Sequence, residues 1–230
     1  MRLYCATAVA IALAAALPST PAARNQDADR VVAGGGITVP GWQGKVDANA
    51  AREGKSVANS KFAAEGGNLH LAIGPAAVYW NPANAASGDF TAKATFREAK
   101  GSADHPHPYG IFIGGSGLGT DAQRLLYCVA YGDGTYLVRG FSGTQVVTVS
   151  KRQPHAAVHK YGADGGVTQE IAWNVRGGRA ECAINGATVA SFDRGEIVGD
   201  DKLASTDGIV GLRVSHNLDV VVSGFGVTGK

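Results

Sequence analysis

Apolar and polar positions alternate with a period of two in run after run of this chain, and helical periodicity is nowhere sustained. From Glu170 to Phe192 the sequence EIAWNVRGGRAECAINGATVASF spells three short strands joined by two glycine turns. Ile171, Trp173 and Val175 alternate with Ala172, Asn174 and Arg176, which puts the apolar set on one sheet face and marks Trp173 as core. Gly177-Gly178 closes the first hairpin. Asn185-Gly186 supplies the second with two residues that tolerate positive φ. In FTAKATF, Phe90, Ala92, Ala94 and Phe96 face one way and Thr91, Lys93 and Thr95 the other, so this strand covers a core with a solvated back. RLLYCVAYG is different: Leu126, Cys128 and Ala130 oppose Leu125, Tyr127, Val129 and Tyr131, leaving both faces apolar or aromatic. Such a strand is covered on both sides or borders a binding cleft.

Further strands are expected over 68–73, 110–114, 135–141, 146–150, 208–214 and 220–227. The 33 glycines punctuate these runs at short intervals, and many short strands with turn signals point to an all-β sandwich or barrel.

The N-terminus changes the compartment. Arg2, an apolar run from Leu3 to Leu17 and then PSTPAA have the pattern of a secretory signal peptide, expected over 1–23. The apolar run falls short of the roughly 20 residues that a spanning helix needs, and no later stretch comes close, so no membrane span is expected. The polar, glycine-rich stretch 24–36 reads as a flexible tether, and 37–230 as a single β-sandwich domain in a secreted or periplasmic protein. In an oxidising compartment Cys128 and Cys182 are candidates for a disulfide; closing a loop of roughly 54 residues would stabilise by roughly 4 kcal/mol, whereas two separate buried thiols would contribute only packing. The formal net charge of +2, with no run of lysine or arginine, gives no footprint for nucleic acid.

The order of elements resembles the concanavalin A-like jelly-roll β-sandwich of two antiparallel sheets. Within it, the chain resembles the 3-keto-disaccharide hydrolase domain family, related to family 16 glycoside hydrolases. The residues that carry the likeness are Gly41-Trp42, GGNLHL, GDFTAKATFR, YCVAYGDGTYLVRGF, the Trp173-Asn174 pair of IAWNV, AINGATVASF and GIVGLRVSHNLDVVVSGFGV. The resemblance implies a secreted domain that meets a carbohydrate or glycoside ligand on the concave sheet; it does not by itself imply turnover, and hydrolysis of 3-keto-disaccharides is one of the two readings it opens.

The chemistry is less explicit. A retaining glycosidase of the family 16 type would carry Glu-x-Asp-x-x-Glu on one strand, and no glutamate here is followed two positions later by aspartate. Glu170 and Glu181 are the carboxylates best placed to meet from different strands, although solvated outer-face positions account for them more simply. Whether the chain is catalytic stays open, with a non-catalytic carbohydrate-binding or envelope-adhesion module as the alternative. GGSGLG is neither a dinucleotide fingerprint nor a phosphate loop, so no cofactor is expected. The loop DHPHPYG offers His105 and His107, but with no third ligand nearby in the sequence no metal site is assigned. Sugar recognition needs aromatic platforms and polar side chains around a groove. The candidates are Trp80, His105, His107, Tyr109, Arg124, Tyr127 and Arg139, centred on the hairpin over 124–141.

Overall fold

The structure is a computed structural model that describes residues 27–102 and 104–229 together with Met1. The rest of the expected signal peptide, and residues 24–26 of the expected tether, lie outside the described residues. The strands in chain order are β1 (Gly36–Ile37), β2 (Gln43–Val46), β3 (Lys61–Glu65), β4 (Asn68–Ala72), β5 (Ala77–Ala86), β6 (Phe90–Glu98), β7 (Tyr109–Ser116), β8 (Arg124–Ala130), β9 (Thr135–Ser142), β10 (Gln145–Pro154), β11 (Val167–Arg176), β12 (Arg179–Ile184), β13 (Ala187–Asp193), β14 (Gly208–Val214) and β15 (Asp219–Thr228). Two short helices, α1 (Ala48–Arg52) and α2 (Arg194–Ile197), interrupt them. One sheet has eight strands in the order β1-β3-β4-β15-β6-β11-β12-β13, the other seven in the order β10-β9-β8-β7-β14-β5-β2. All pairings are antiparallel except β1 with β3. This is the expected jelly-roll sandwich.

The inner faces meet as the alternation requires. Phe90, Phe96, Ile171, Trp173 and Ile184 of the larger sheet pack against Tyr79, Tyr109, Ile111, Cys128 and Leu212 of the smaller one, all essentially without solvent contact. The Trp173 indole donates to the Ile111 carbonyl at 3.1 Å across the layers, so its one polar atom is satisfied in the core. Cys128 on β8 and Cys182 on β12 form the disulfide, which joins the two sheets through the centre. At the β12–β13 turn Asn185 and Gly186 both take positive φ, 49° and 82°, as the hairpin demands.

Two parts of the chain differ from the pattern-based reading. Strand β5 runs from Ala77 through NPANAA to Ala86, a stretch over which the sequence pattern marked no strand. Beyond Trp80 it no longer pairs with β2, and a register irregularity against β14 spans the same stretch, so Pro82 displaces no ladder bond. The described part of the expected tether is bonded to the sandwich. Arg30 donates from Nε to the Ile73 carbonyl at 2.9 Å and from Nη2 to that of Leu218, and its backbone N–H donates to Asn217 at 2.8 Å.

Two predictions follow from this packing. Replacing both Cys128 and Cys182 by alanine lowers the unfolding free energy by about 2–4 kcal/mol under non-reducing conditions, and the difference disappears when the wild-type chain is unfolded with reductant. The second concerns His70, whose Nε2 lies 2.8 Å from Asp219 and whose Nδ1 lies 3.0 Å from Glu65. Partial burial pushes its pKa down, but the hydrogen bonds to the two carboxylates outweigh this and leave it raised above 6.5. A raised folded-state pKa stabilises fully below the unfolded value and ceases to do so as pH climbs through the folded one. Glu65 has the opposite sign: the His70 bond lowers its pKa from 4.5, so its contribution is present above that value and lost on acidification. The stability difference between wild type and His70→Ala, measured by denaturant titration, is therefore largest between about pH 4.5 and 6.5 and shrinks on the alkaline side.

Candidate functional site

The outer face of the seven-stranded sheet carries a second apolar cluster, separate from the core. It consists of Val78 and Trp80 of β5, Phe112 of β7, Leu125, Tyr127 and Val129 of β8, Leu137 and Phe141 of β9, and Tyr131, with Leu118 and Ile209 packed against it. Alternation accounts for this set, since each strand sends every second residue to this face. Gly211 belongs to the same face, and a Cβ there would come within 2.5 Å of the Phe112 ring, so only glycine lets that ring lie across β14.

Polar groups are set into the apolar bed. Arg213, in step with Gly211, is largely buried, with 11% of its side chain exposed, and pairs bidentately with Asp47, at 2.5 and 2.7 Å. Its guanidinium also lies 5.4 Å from the Tyr127 ring centre and 5.2 Å from that of Phe141. Burial alone would lower its pKa, but the Asp47 carboxylate more than compensates and keeps the group charged. Arg152 stacks 3.8 Å from the centre of the Tyr131 ring and is held by Asp133 and Thr135. Arg139 lies opposite Tyr127 in the ladder. Its Nε is buried and has no hydrogen-bond partner among the described residues.

A groove of about 260 Å³ on this face is lined by His107, Tyr127, Tyr131, Arg139, Arg213 and Ser215, together with Pro106 and Pro108. Burial raises the phenol pKa of both tyrosines, so they enter the groove as neutral hydrogen-bonding rings. His107 is shifted the other way, down to about 4, by burial and by the neighbouring His216 and His105, and is a neutral imidazole at neutral pH.

Of the candidates read from the sequence, His107, Tyr127 and Arg139 come together in this groove. Trp80 shares the face but is 3% exposed, because Leu118 packs on the same cluster and Gly119 lies against its indole. That loop is tied down by Lys45, whose Nζ donates to the Thr120 carbonyl at 2.5 Å and to Asp121 at 2.9 Å. Tyr109 points the opposite way, into the core, where its ring stacks on Phe96 at 5.2 Å. Arg124 is also elsewhere: its Nη1 donates to the Gly199 and Lys202 carbonyls and anchors the loop after α2. Glu170 and Glu181 do not meet. Glu181 sits opposite Asn174, four residues along β11 from Glu170, or roughly 13 Å at the rise of a strand.

His105 lies outside the groove with a largely exposed side chain, in a cluster that the sequence spacing did not reveal. Asp27, His105, His107 and His216 each offer one ligand atom, and these atoms lie within 4.8 Å of one another. Arg213 was legible in principle from the alternation of GIVGLRV, whereas Asp27 and His216 carry no local signal and reach the site only through the fold.

No family model matches the sequence, and no curated protein matches it. Among solved structures the chain is similar to the carbohydrate-binding module CBM66 from Bacillus subtilis, with TM-score 0.57 and 11% identity over 84% of this chain and 98% of that one. It is also similar to a protein of unknown function with a galectin-like fold from Bacillus subtilis, with TM-score 0.56 and 14% identity over 81% and 88%. A third similar structure is alginate lyase A1-II', with TM-score 0.51 and 16% identity over 82% and 94%. At these identities the likeness establishes the fold, a galectin-like jelly-roll sandwich.

The Arg213–Asp47 pair yields a stability prediction. Asp47→Ala leaves a buried guanidinium uncompensated and costs about 3 kcal/mol in a denaturant titration, while the double variant Asp47→Ala/Arg213→Met recovers most of that loss.

Proposed function

We propose that this protein is a secreted or periplasmic saccharide-binding β-sandwich, and that it takes its ligand in the groove between Tyr127, Tyr131, Arg139 and His107. The observation that carries the reading is the Arg139 guanidinium, whose Nε is buried without a partner among the described residues, in a groove that Tyr127 and Tyr131 also line. An unpaired buried donor costs roughly 1–3 kcal/mol, and a sugar hydroxyl or carboxylate oxygen would relieve that cost. Tyrosine rings suit the apolar faces of pyranoses, and their hydroxyls suit the rims. Arg213 and Arg152 are each matched by an aspartate, while among the described residues Arg139 forms no salt bridge and no carboxylate lines the groove. That balance favours an acidic sugar over a neutral one. The likeness to a carbohydrate-binding module and to a galectin-like fold supports the same reading.

A second reading is glycoside processing, in the sense of the 3-keto-disaccharide hydrolases that the sequence resembles. What favours it is the neutral imidazole of His107 facing the same groove as the Tyr127 hydroxyl, a pair able to move protons without a carboxylate. Under this reading incubation with 3-keto-disaccharides releases monosaccharide at a rate that Tyr127→Phe reduces. Under the binding reading those sugars are returned unchanged.

Titration calorimetry against neutral and uronate oligosaccharides tests the proposal. Arg139→Met and Tyr131→Ala each weaken binding of the preferred sugar at least tenfold, and Arg139→Met leaves thermal stability equal or slightly raised because it removes the unpaired donor. Absence of binding across both sugar classes by the wild-type chain would refute it.

A further inference from the structure

We propose that Asp27, His105, His107 and His216 form a binding site for a zinc-class divalent cation at the loop end of the sandwich. The donors arrive from three separate segments. Asp27 precedes β1, His105 and His107 belong to the β6–β7 connection, and His216 sits in the turn between β14 and β15. Convergence of three imidazoles and a carboxylate from such distant positions is not a consequence of local sequence.

The geometry suits a small ion. Asp27 Oδ2 lies 3.3 Å from His107 Nε2 and 4.0 Å from His105 Nε2. The rings of His105 and His107 are 4.9 Å apart and those of His107 and His216 4.4 Å, each pair nearly edge to face. Zinc–nitrogen bonds of about 2.0–2.1 Å in a tetrahedron separate ligand atoms by roughly 3.3 Å, so donors already within 4.8 Å of one another need to close only slightly. Three nitrogen donors exclude the all-oxygen preference of calcium and magnesium and suit zinc, or the neighbouring transition ions.

The surroundings support the ligands. His216 Nδ1 lies 2.9 Å from Asp29 Oδ1, which leaves its Nε2 facing the cluster, and Asp29 is in turn held by Lys55 at 2.7 Å. A carboxylate behind a ligating imidazole is the arrangement that fixes tautomer and ring orientation in zinc sites. Asn217 Nδ2 donates to Asp27 Oδ2 at 3.1 Å and holds that carboxylate in place. Pro106 and Pro108 restrict the backbone on either side of His107. A bound ion would staple the segment before β1 to the two loops and hold His107 at the rim of the groove.

The site does not depend on the saccharide reading, and it is tested without sugar. The full chain, stripped with chelator, is titrated with Zn2+ against a chromophoric competitor, and metal content is measured after desalting. Wild type takes up one Zn2+ per chain with a Kd of about 1 μM or tighter, and its thermal midpoint rises on loading. His105→Ala/His216→Ala weakens zinc binding at least 100-fold, Asp29→Asn about tenfold or more, and all metal-free forms keep the wild-type circular dichroism. Tyr127→Ala retains wild-type zinc affinity, which separates a failed sugar site from a failed metal site. Substoichiometric zinc, an affinity unchanged in the double histidine variant, or calcium binding as tight as zinc would overturn the assignment.

Discussion

The seven-stranded sheet is apolar on both faces, and most of the molecule can be understood as a response to that. Its inner side is covered by the larger sheet and joined to it by Cys128–Cys182. Its outer side, with Tyr127, Phe112, Phe141 and Trp80, would otherwise present a continuous hydrophobic patch to solvent. The chain covers part of it with the loop that Lys45 latches through Thr120 and Asp121, and so removes Trp80 from reach. What remains open is the groove around Tyr127 and Tyr131.

Charge is introduced into this apolar surface under tight control. Arg213 lies over the rings of Tyr127 and Phe141 and is neutralised by Asp47; Arg152 covers Tyr131 and is held by Asp133. Both cations therefore serve as extensions of the aromatic packing. Among the described residues Arg139 has no such partner, and the proposed specificity of the groove rests on that difference.

The groove and the histidine cluster meet at His107. Its ring lines the groove and also stands between His105 and His216, so the loop carrying it belongs to both. The segment before β1 reaches this corner through Asp27, Asp29 and Arg30, which explains why it is bonded down instead of free.

Alternation alone was enough to recover an all-β fold and its core face, and the family resemblance chose the sandwich over a barrel: the parity of Phe90, Ile171, Trp173 and Ile184 assigns the core face because a strand has only two sides. The same parity placed Tyr127 opposite Cys128 and marked β8 as covered on both sides or bordering a cleft, and it would have sent Tyr109 to the core with Ile111 and Ile113. It could not say where β5 ends, since the neighbours that continue or stop its ladder lie far away in sequence. Nor could it gather the site. Arg213 meets Asp47 across 166 positions and His216 meets Asp29 across 187, so these encounters are created by sheet order and loop approach. The side on which each residue lies was written locally in the chain, whereas which residues share a pocket was decided only by the folded topology, because contact at that range depends on how the strands are threaded and not on their period.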